Sequence, residues 1–103
     1  MTRYDIRRYF VTYSANSFIP RIGLLDINDR YVGQLEFHAD GSTLEADVLQ
    51  PNGFRLRYHL ANYPHLIDLL RNERPLEVFF NGSGGGFENG LRTGREAVGE
   101  FDR

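Results

Sequence analysis

Two histidines carry the first chemical question. His38 and His59 stand near Glu36, Glu45 and Asp47 in the chain. Imidazole beside carboxylate is the vocabulary of metal ligation and of acid–base chemistry. Were the chain an enzyme, His38, Glu45 and His59 would be the residues to inspect. The simpler reading is a solvated sheet face on which charges pair across strands. His65 falls in the first turn of a predicted helix, an ordinary place for a neutral ring beside solvent. The chain has no Cys, which excludes thiolate metal sites and disulfides.

A second feature is the run Gly82-Ser83-Gly84-Gly85-Gly86-Phe87. A phosphate cradle needs a strand before the glycines, a helix after them and usually a Lys. A strand is predicted before this run, but no helix follows. All 12 basic residues are Arg and none is Lys. The run therefore reads as a flexible hairpin tip. Ser83 also lacks the flanking pattern of a nucleophile elbow. No catalytic residue, metal or cofactor is expected.

The third is a set of arginines among aromatic rings. Arg3, Tyr4, Arg7, Arg8, Tyr9 and Phe10 cluster at the start, and Arg55, Arg57 and Tyr58 follow later. Single-strand binders combine a basic groove with aromatic stacking platforms. Arg7, Arg8, Arg55 and Arg57 are the candidate nucleic-acid contacts on this reading. Against it, the net charge is -2, whereas phosphate binding draws on a basic excess. Tyr9 and Tyr58 also alternate with core positions, and Arg57 has a predicted partner in Asp47.

The elements that must position these residues follow from periodicity. At 103 residues the chain is the size of one domain. Its 8 Phe and 6 Tyr supply large apolar side chains for one core. Ile6 to Ser14 predicts a strand with aromatics on both faces, and Ala15 to Pro20 a loop. Arg21 to Ile27 and Tyr31 to His38 are strands joined by the turn chemistry of Asn28-Asp29. Asp40-Gly41-Ser42 turns the chain into a strand over Thr43 to Gln50. Pro51-Asn52-Gly53 predicts a three-residue hairpin loop before the strand Phe54 to Leu60. That loop length sets Val48 opposite Leu56 and Ala46 opposite Tyr58. It also sets Asp47 opposite Arg57 and Glu45 opposite His59. Apolar then meets apolar and charge meets counter-charge.

The period then changes. Tyr63, Leu66, Ile67 and Leu70 follow helical spacing, with Asn62 as N-cap, Pro64 in the first turn and Pro75 as the stop. Leu76 to Asn81 is a further strand, and Leu91 to Val98 a last edge strand. The tail from Gly99 to Arg103 is expected to fray.

Several segments together resemble a group of small bacterial proteins with no established activity. They are Tyr9-Phe10-Val11-Thr12-Tyr13-Ser14, Ile22-Gly23-Leu24-Leu25-Asp26 and Tyr31-Val32-Gly33-Gln34-Leu35-Glu36-Phe37. Tyr58-His59-Leu60, the stretch from Ile67 to Pro75 and Glu96-Ala97-Val98-Gly99-Glu100 continue the likeness. It spans most of the chain and implies no site. The order of strands followed by a helix also resembles half of the plant Whirly fold, which binds single-stranded DNA.

The expectation is a single α+β domain over residues 1–103. It is an antiparallel meander of five to six strands packed against one helix. Its aromatic-rich first strand leaves a sheet edge that a second copy could pair with. The alternative cover for the surplus aromatics is the loop from Ala15 to Pro20, with Phe18 and Ile19. The expected function is a non-catalytic binding or assembly module acting as a homodimer, with single-stranded nucleic-acid binding as the alternative. No apolar run reaches the ~20 residues of a membrane span, and Met1-Thr2-Arg3-Tyr4-Asp5 lacks a signal-peptide core. Cytoplasm is the expected compartment.

Overall fold

A computed structural model describes residues 1–95. In chain order these form β1 (Thr2–Ile6), β2 (Arg8–Thr12), β3 (Arg21–Leu25), β4 (Tyr31–His38), β5 (Val48–Gln50) and β6 (Gly53–His59). A 3-10 turn over Leu60–Asn62 leads into α1 (Tyr63–Asn72), and β7 (Leu76–Phe80) and β8 (Gly90–Thr93) follow. The α+β class with a single helix stands, but the single meander does not. The strands divide into a three-stranded sheet ordered β1-β7-β8 and a five-stranded sheet ordered β2-β3-β4-β6-β5. Every pairing is antiparallel except β4 with β6, which is parallel.

Ile6 to Ser14 is not one strand. The chain leaves the small sheet after Ile6 and enters the large one at Arg8. Arg7 marks the crossing, and its backbone N–H donates to the Leu25 carbonyl at 2.9 Å. Of the predicted strand only Ile6 serves the small sheet; Tyr9 and Phe10 lie on opposite faces of β2 in the large one. The predicted last strand is real over Gly90–Thr93, at the edge of the small sheet. Val98 and the tail lie outside the described residues.

The hairpin at Pro51 forms, but its register is shifted by one residue. Gly53 joins the ladder opposite Gln50, leaving a two-residue loop, and Val48 falls opposite Arg55 rather than Leu56. Thr43 to Asp47 is not strand, so Ala46 does not pair with Tyr58 nor Glu45 with His59. The apolar matching predicted for β5 against β6 occurs instead across the parallel ladder. Gly33 stands beside Phe54, Leu35 beside Leu56 and Phe37 beside Tyr58. Gly33 and Phe54 lock this register. A Cβ built on Gly33 would lie 2.4 Å from the Phe54 ring, so the ring occupies the space a side chain would need.

One core joins all parts. Ile22, Leu24, Leu35, Phe37, Phe54 and Leu56 come from the large sheet, and Ile6, Leu76, Val78 and Phe80 from the small one. Side chains of this size contribute about 1.5–3 kcal/mol each when fully buried. The helix adds Leu66, with Tyr63, Ile67 and Leu70 packed around it, as the apolar stripe requires. Aromatic pairs bridge the layers. Tyr4 of β1 meets Phe54 at 5.4 Å between centroids, and Tyr63 of α1 meets Phe37 edge-on at 5.1 Å. Asn62 makes no side-chain cap, and Pro64 occupies the first turn as expected. Among the described residues no helix is long and apolar enough to cross a membrane.

Gly33→Ala should therefore lower stability by about 1–3 kcal/mol, the usual cost of overpacking. Gly85→Ala, where an added Cβ meets nothing within 4 Å, should stay within about 0.5 kcal/mol of the parent. Urea midpoints of the two variants check the register. Equal midpoints would contradict the close approach of Phe54 to Gly33.

Candidate functional site

The five-stranded sheet turns one face to the core and leaves the other open. On β4, Gln34, Glu36 and His38 point to the open face. On β6, Arg55, Arg57 and His59 do the same, each beside its β4 counterpart in the parallel register. The ladder places opposite charges together, and Glu36 becomes their hub. It is 1% exposed and the one buried charged residue among those described.

Glu36 is fully partnered. Arg55 Nε donates to Oε2 at 2.5 Å and Arg57 Nε to Oε1 at 3.0 Å. Gln34 Nε2 donates to Oε2 at 2.8 Å and in turn accepts the Tyr31 hydroxyl on Oε1 at 3.0 Å. His38 Nε2 lies 3.4 Å from Oε1. Burial pushes the Glu36 carboxyl up, but hydrogen bonds from Arg55, Gln34 and Arg57 outweigh it and bring the pKa down to about 2. A carboxylate held that low is a poor general base near neutral pH. Its neighbours fix it as a permanent anion.

The other candidate groups are spoken for as well. Arg57 is buried. Its second nitrogen donates to the Ala46 carbonyl, its third lies 3.6 Å from Glu45, and its backbone N–H donates to Asp47 Oδ1 at 2.8 Å. Asp47 thus meets Arg57, though through a side chain replacing a ladder partner. His59 Nε2 meets the Ser42 carbonyl oxygen at 2.7 Å, and the Ala61 N–H donates to Asp40 Oδ1 at 2.8 Å. These contacts pin residues 39–47 across the sheet as an irregular strap and explain why no strand forms there. Glu45 is exposed beside Arg57, His59 meets Ser42 and His38 meets Glu36, so the three have different partners. Among the described residues no group of three or more His, Asp or Glu is placed to hold a metal ion.

The four candidate arginines do not form one patch. Arg55 and Arg57 share Glu36, while Arg8 lies on the far edge of the same face, 3.8 Å from Asp29. Arg7 and Arg8 both line a cleft of about 1090 Å³ with Arg71, Arg74, Asp26 and Asp29. Its carboxylates balance its guanidiniums, and Asp26 is engaged by its own turn, accepting from the Arg30 and Asn28 N–H groups. The Gly82–Gly86 run joins β7 to β8, and among the described residues no helix follows it. Asn89 braces it, accepting from the Asn81 N–H at 2.7 Å and donating to Gly82 O and Asp47 Oδ2.

Sequence reasoning missed the burial of Glu36. Alternation placed it correctly on the outer face, but nothing local distinguishes a covered carboxylate from a wet one. It also missed the contrast at the β2 edge. Phe10 is 47% exposed, Tyr13 68% and Phe18 67%. Phe18 is thus largely exposed, while Ile19 and Pro20 of the same loop are partly buried.

Acid should reveal the hub. Because the folded-state pKa of Glu36 lies below the ordinary 4.5, its contribution is complete above that value and disappears as pH falls toward 2. That contribution is about 3 kcal/mol. Glu36→Gln should cost about 3–5 kcal/mol at pH 7 by leaving two guanidiniums without their anion. It should also flatten the loss of stability between pH 7 and pH 3. Urea titrations at both pH values decide it. An unchanged acid slope in the variant would assign that slope to other carboxylates.

The chain matches no family model, no curated protein and no solved structure.

Proposed function

We propose that the chain is a non-catalytic assembly module that works as a homodimer joined along the β2 edge of its large sheet. The observation that carries this reading is the state of that edge. β2 pairs only with β3 among the described residues. It reads Arg8-Tyr9-Phe10-Val11-Thr12 and runs on into Tyr13. Exposed edges are usually blunted by Lys, Pro, bulges or brevity, because unpaired N–H and C=O groups template further strands. The other edges are blunted. β5 has three residues and runs into Pro51; β8 is short and carries Arg92; β1 carries Arg3 and Asp5. β2 instead presents aromatics. The polar cluster supports the non-catalytic half, since its groups are committed to one another.

A second reading has one specific observation in its favour. Phe10 and Tyr31, both partly exposed, stand on the same open face as Arg8, Arg21 and Arg55. Rings interleaved with guanidiniums are how single-stranded nucleic acid is held. The overall acidity and the engagement of Arg55 by Glu36 weigh against it.

Light scattering at about 100 μM should give the mass of two chains, falling toward one on dilution into the low micromolar range. Tyr13→Arg combined with Phe18→Arg should be monomeric throughout with an unchanged circular dichroism spectrum. A monomeric parent at about 100 μM would refute the homodimer. Fluorescent oligothymidine at low salt tests the second reading, which requires micromolar binding that Phe10→Ala weakens.

A further inference from the structure

We infer that the second copy lays its β2 antiparallel to the first, with the two-fold axis through Phe10, so that the two five-stranded sheets continue as one. This rests on the homodimer reading and adds its geometry.

Parity comes first. Residues directly opposite in an antiparallel pair share a face. On β2, Tyr9 and Val11 lie on the face of buried Leu24 and Ile22, with Val11 still 40% exposed at the edge, while Arg8, Phe10 and Thr12 lie on the open face. A continuous sheet must keep core face beside core face. Only registers with the axis on a residue do so; an axis between residues would swap the faces. Among those, the axis on Phe10 lies at the middle of Arg8–Thr12 and engages the whole strand. Any other residue shortens the shared ladder.

The pairs this register makes are self-complementary. Phe10 meets Phe10 of the second copy, Tyr9 meets Val11 and Arg8 meets Thr12, with Arg7 opposite Tyr13 beyond the strand. No like charges oppose. Arg8 opens β2 and Arg7 precedes it, so an antiparallel arrangement separates the two pairs, whereas an in-register parallel one sets Arg8 on Arg8. Phe10 is already held in place. It lies over Gly23, where an added Cβ would clash with its ring at 2.3 Å. A ring seated in this way loses little freedom when a partner arrives. The exposed parts of Phe10 and Tyr13 amount to roughly 250 Å² per copy. With the paired backbone, that stays among the small interfaces of weak, transient pairs, which fits a dimer that dissociates on dilution.

The chain has no Cys, so an introduced thiol is the only one present. Phe10→Cys should form a disulfide-linked dimer under mild oxidation, since directly opposed Cα atoms lie about 4.5–5.5 Å apart. Arg8→Cys and Thr12→Cys should not link to themselves, being displaced by about 14 Å along the strand. The two mixed should link to each other. That mixed pair keeps the test intact if loss of the Phe10 ring weakens dimerisation. Self-linking of Thr12→Cys, or failure of the mixture to link while light scattering still reports a dimer, overturns this register and leaves the homodimer standing. A monomeric parent overturns both.

Discussion

The parallel ladder between β4 and β6 is the constraint on which the structure depends, because it is sealed on both faces at once. Beneath it, the Phe54 ring fills the space left by Gly33, and Leu35 and Phe37 lie beside Leu56 and Tyr58. Above it, the same register carries Glu36 between Arg55 and Arg57. A one-residue slip would drive Phe54 against a side chain below. Above, it would leave a buried carboxylate facing apolar neighbours, at a cost of several kcal/mol. Two unrelated penalties enforce one alignment. Everything attached to these strands inherits it: the strap over residues 39–47, the hairpin to β5 and the helix that follows β6.

This constraint also accounts for what the polar residues do. A single carboxylate in a nearly dry position needs hydrogen bonds on both oxygens, and four side chains converge to supply them. The groups that suggest catalysis are thereby occupied in holding the sheet together. Arg57 then extends the network to Ala46, Glu45 and Asp47, and Asp47 passes it on to Asn89 beside the β7–β8 loop. Tyr58 closes a second link between the sheets. Burial, the Asp47 charge and, acting the other way, a hydrogen bond from the Leu91 backbone leave its hydroxyl pKa raised to about 12. The outer face of the small sheet is covered by simpler means, with Arg92 lying 4.4 Å over the Phe79 ring and bonded to Glu77. β2, by contrast, leaves Phe10 and Val11 exposed at the sheet edge.

Much of this was legible from periodicity. The inward alternation of Phe54, Leu56 and Tyr58, the helix from Tyr63, the turn at Asn28-Asp29 and the strand from Leu76 all follow from local pattern. What failed depends on long-range partners. Two successive strands with a good turn are indistinguishable, in sequence, from a hairpin whose second strand finds a better neighbour elsewhere. Leu56 shows this: its inward face was readable, but its opposite residue is Leu35 rather than Val48. Asp47 did pair with Arg57, yet as an acceptor for its backbone N–H rather than as a cross-strand charge. Arg7 hid a change of sheet, because a crossing between sheets alters no local propensity. Glu36 carried no signal either, since Arg55 and Arg57, which bind it, stand on a strand that the sequence pairs with residues 43–50 rather than with β4.

The unequal edges of the large sheet decide what kind of assembly its surface can make. If both ends of the sheet were open, β2 of one copy could add to β5 of the next, and repetition of that contact would build a filament. β5 offers three residues before Pro51, and its Val48 and Leu49 are only partly covered. It is a poor template, whereas β2 is a good one. An edge that can pair only with its own kind forms an isologous contact, which uses up both templates and stops at two copies. The aromatics on β2 would be an aggregation hazard on a chain with two equivalent edges. On this one, under the proposed pairing, the brevity of β5 would let the same residues form a surface that closes.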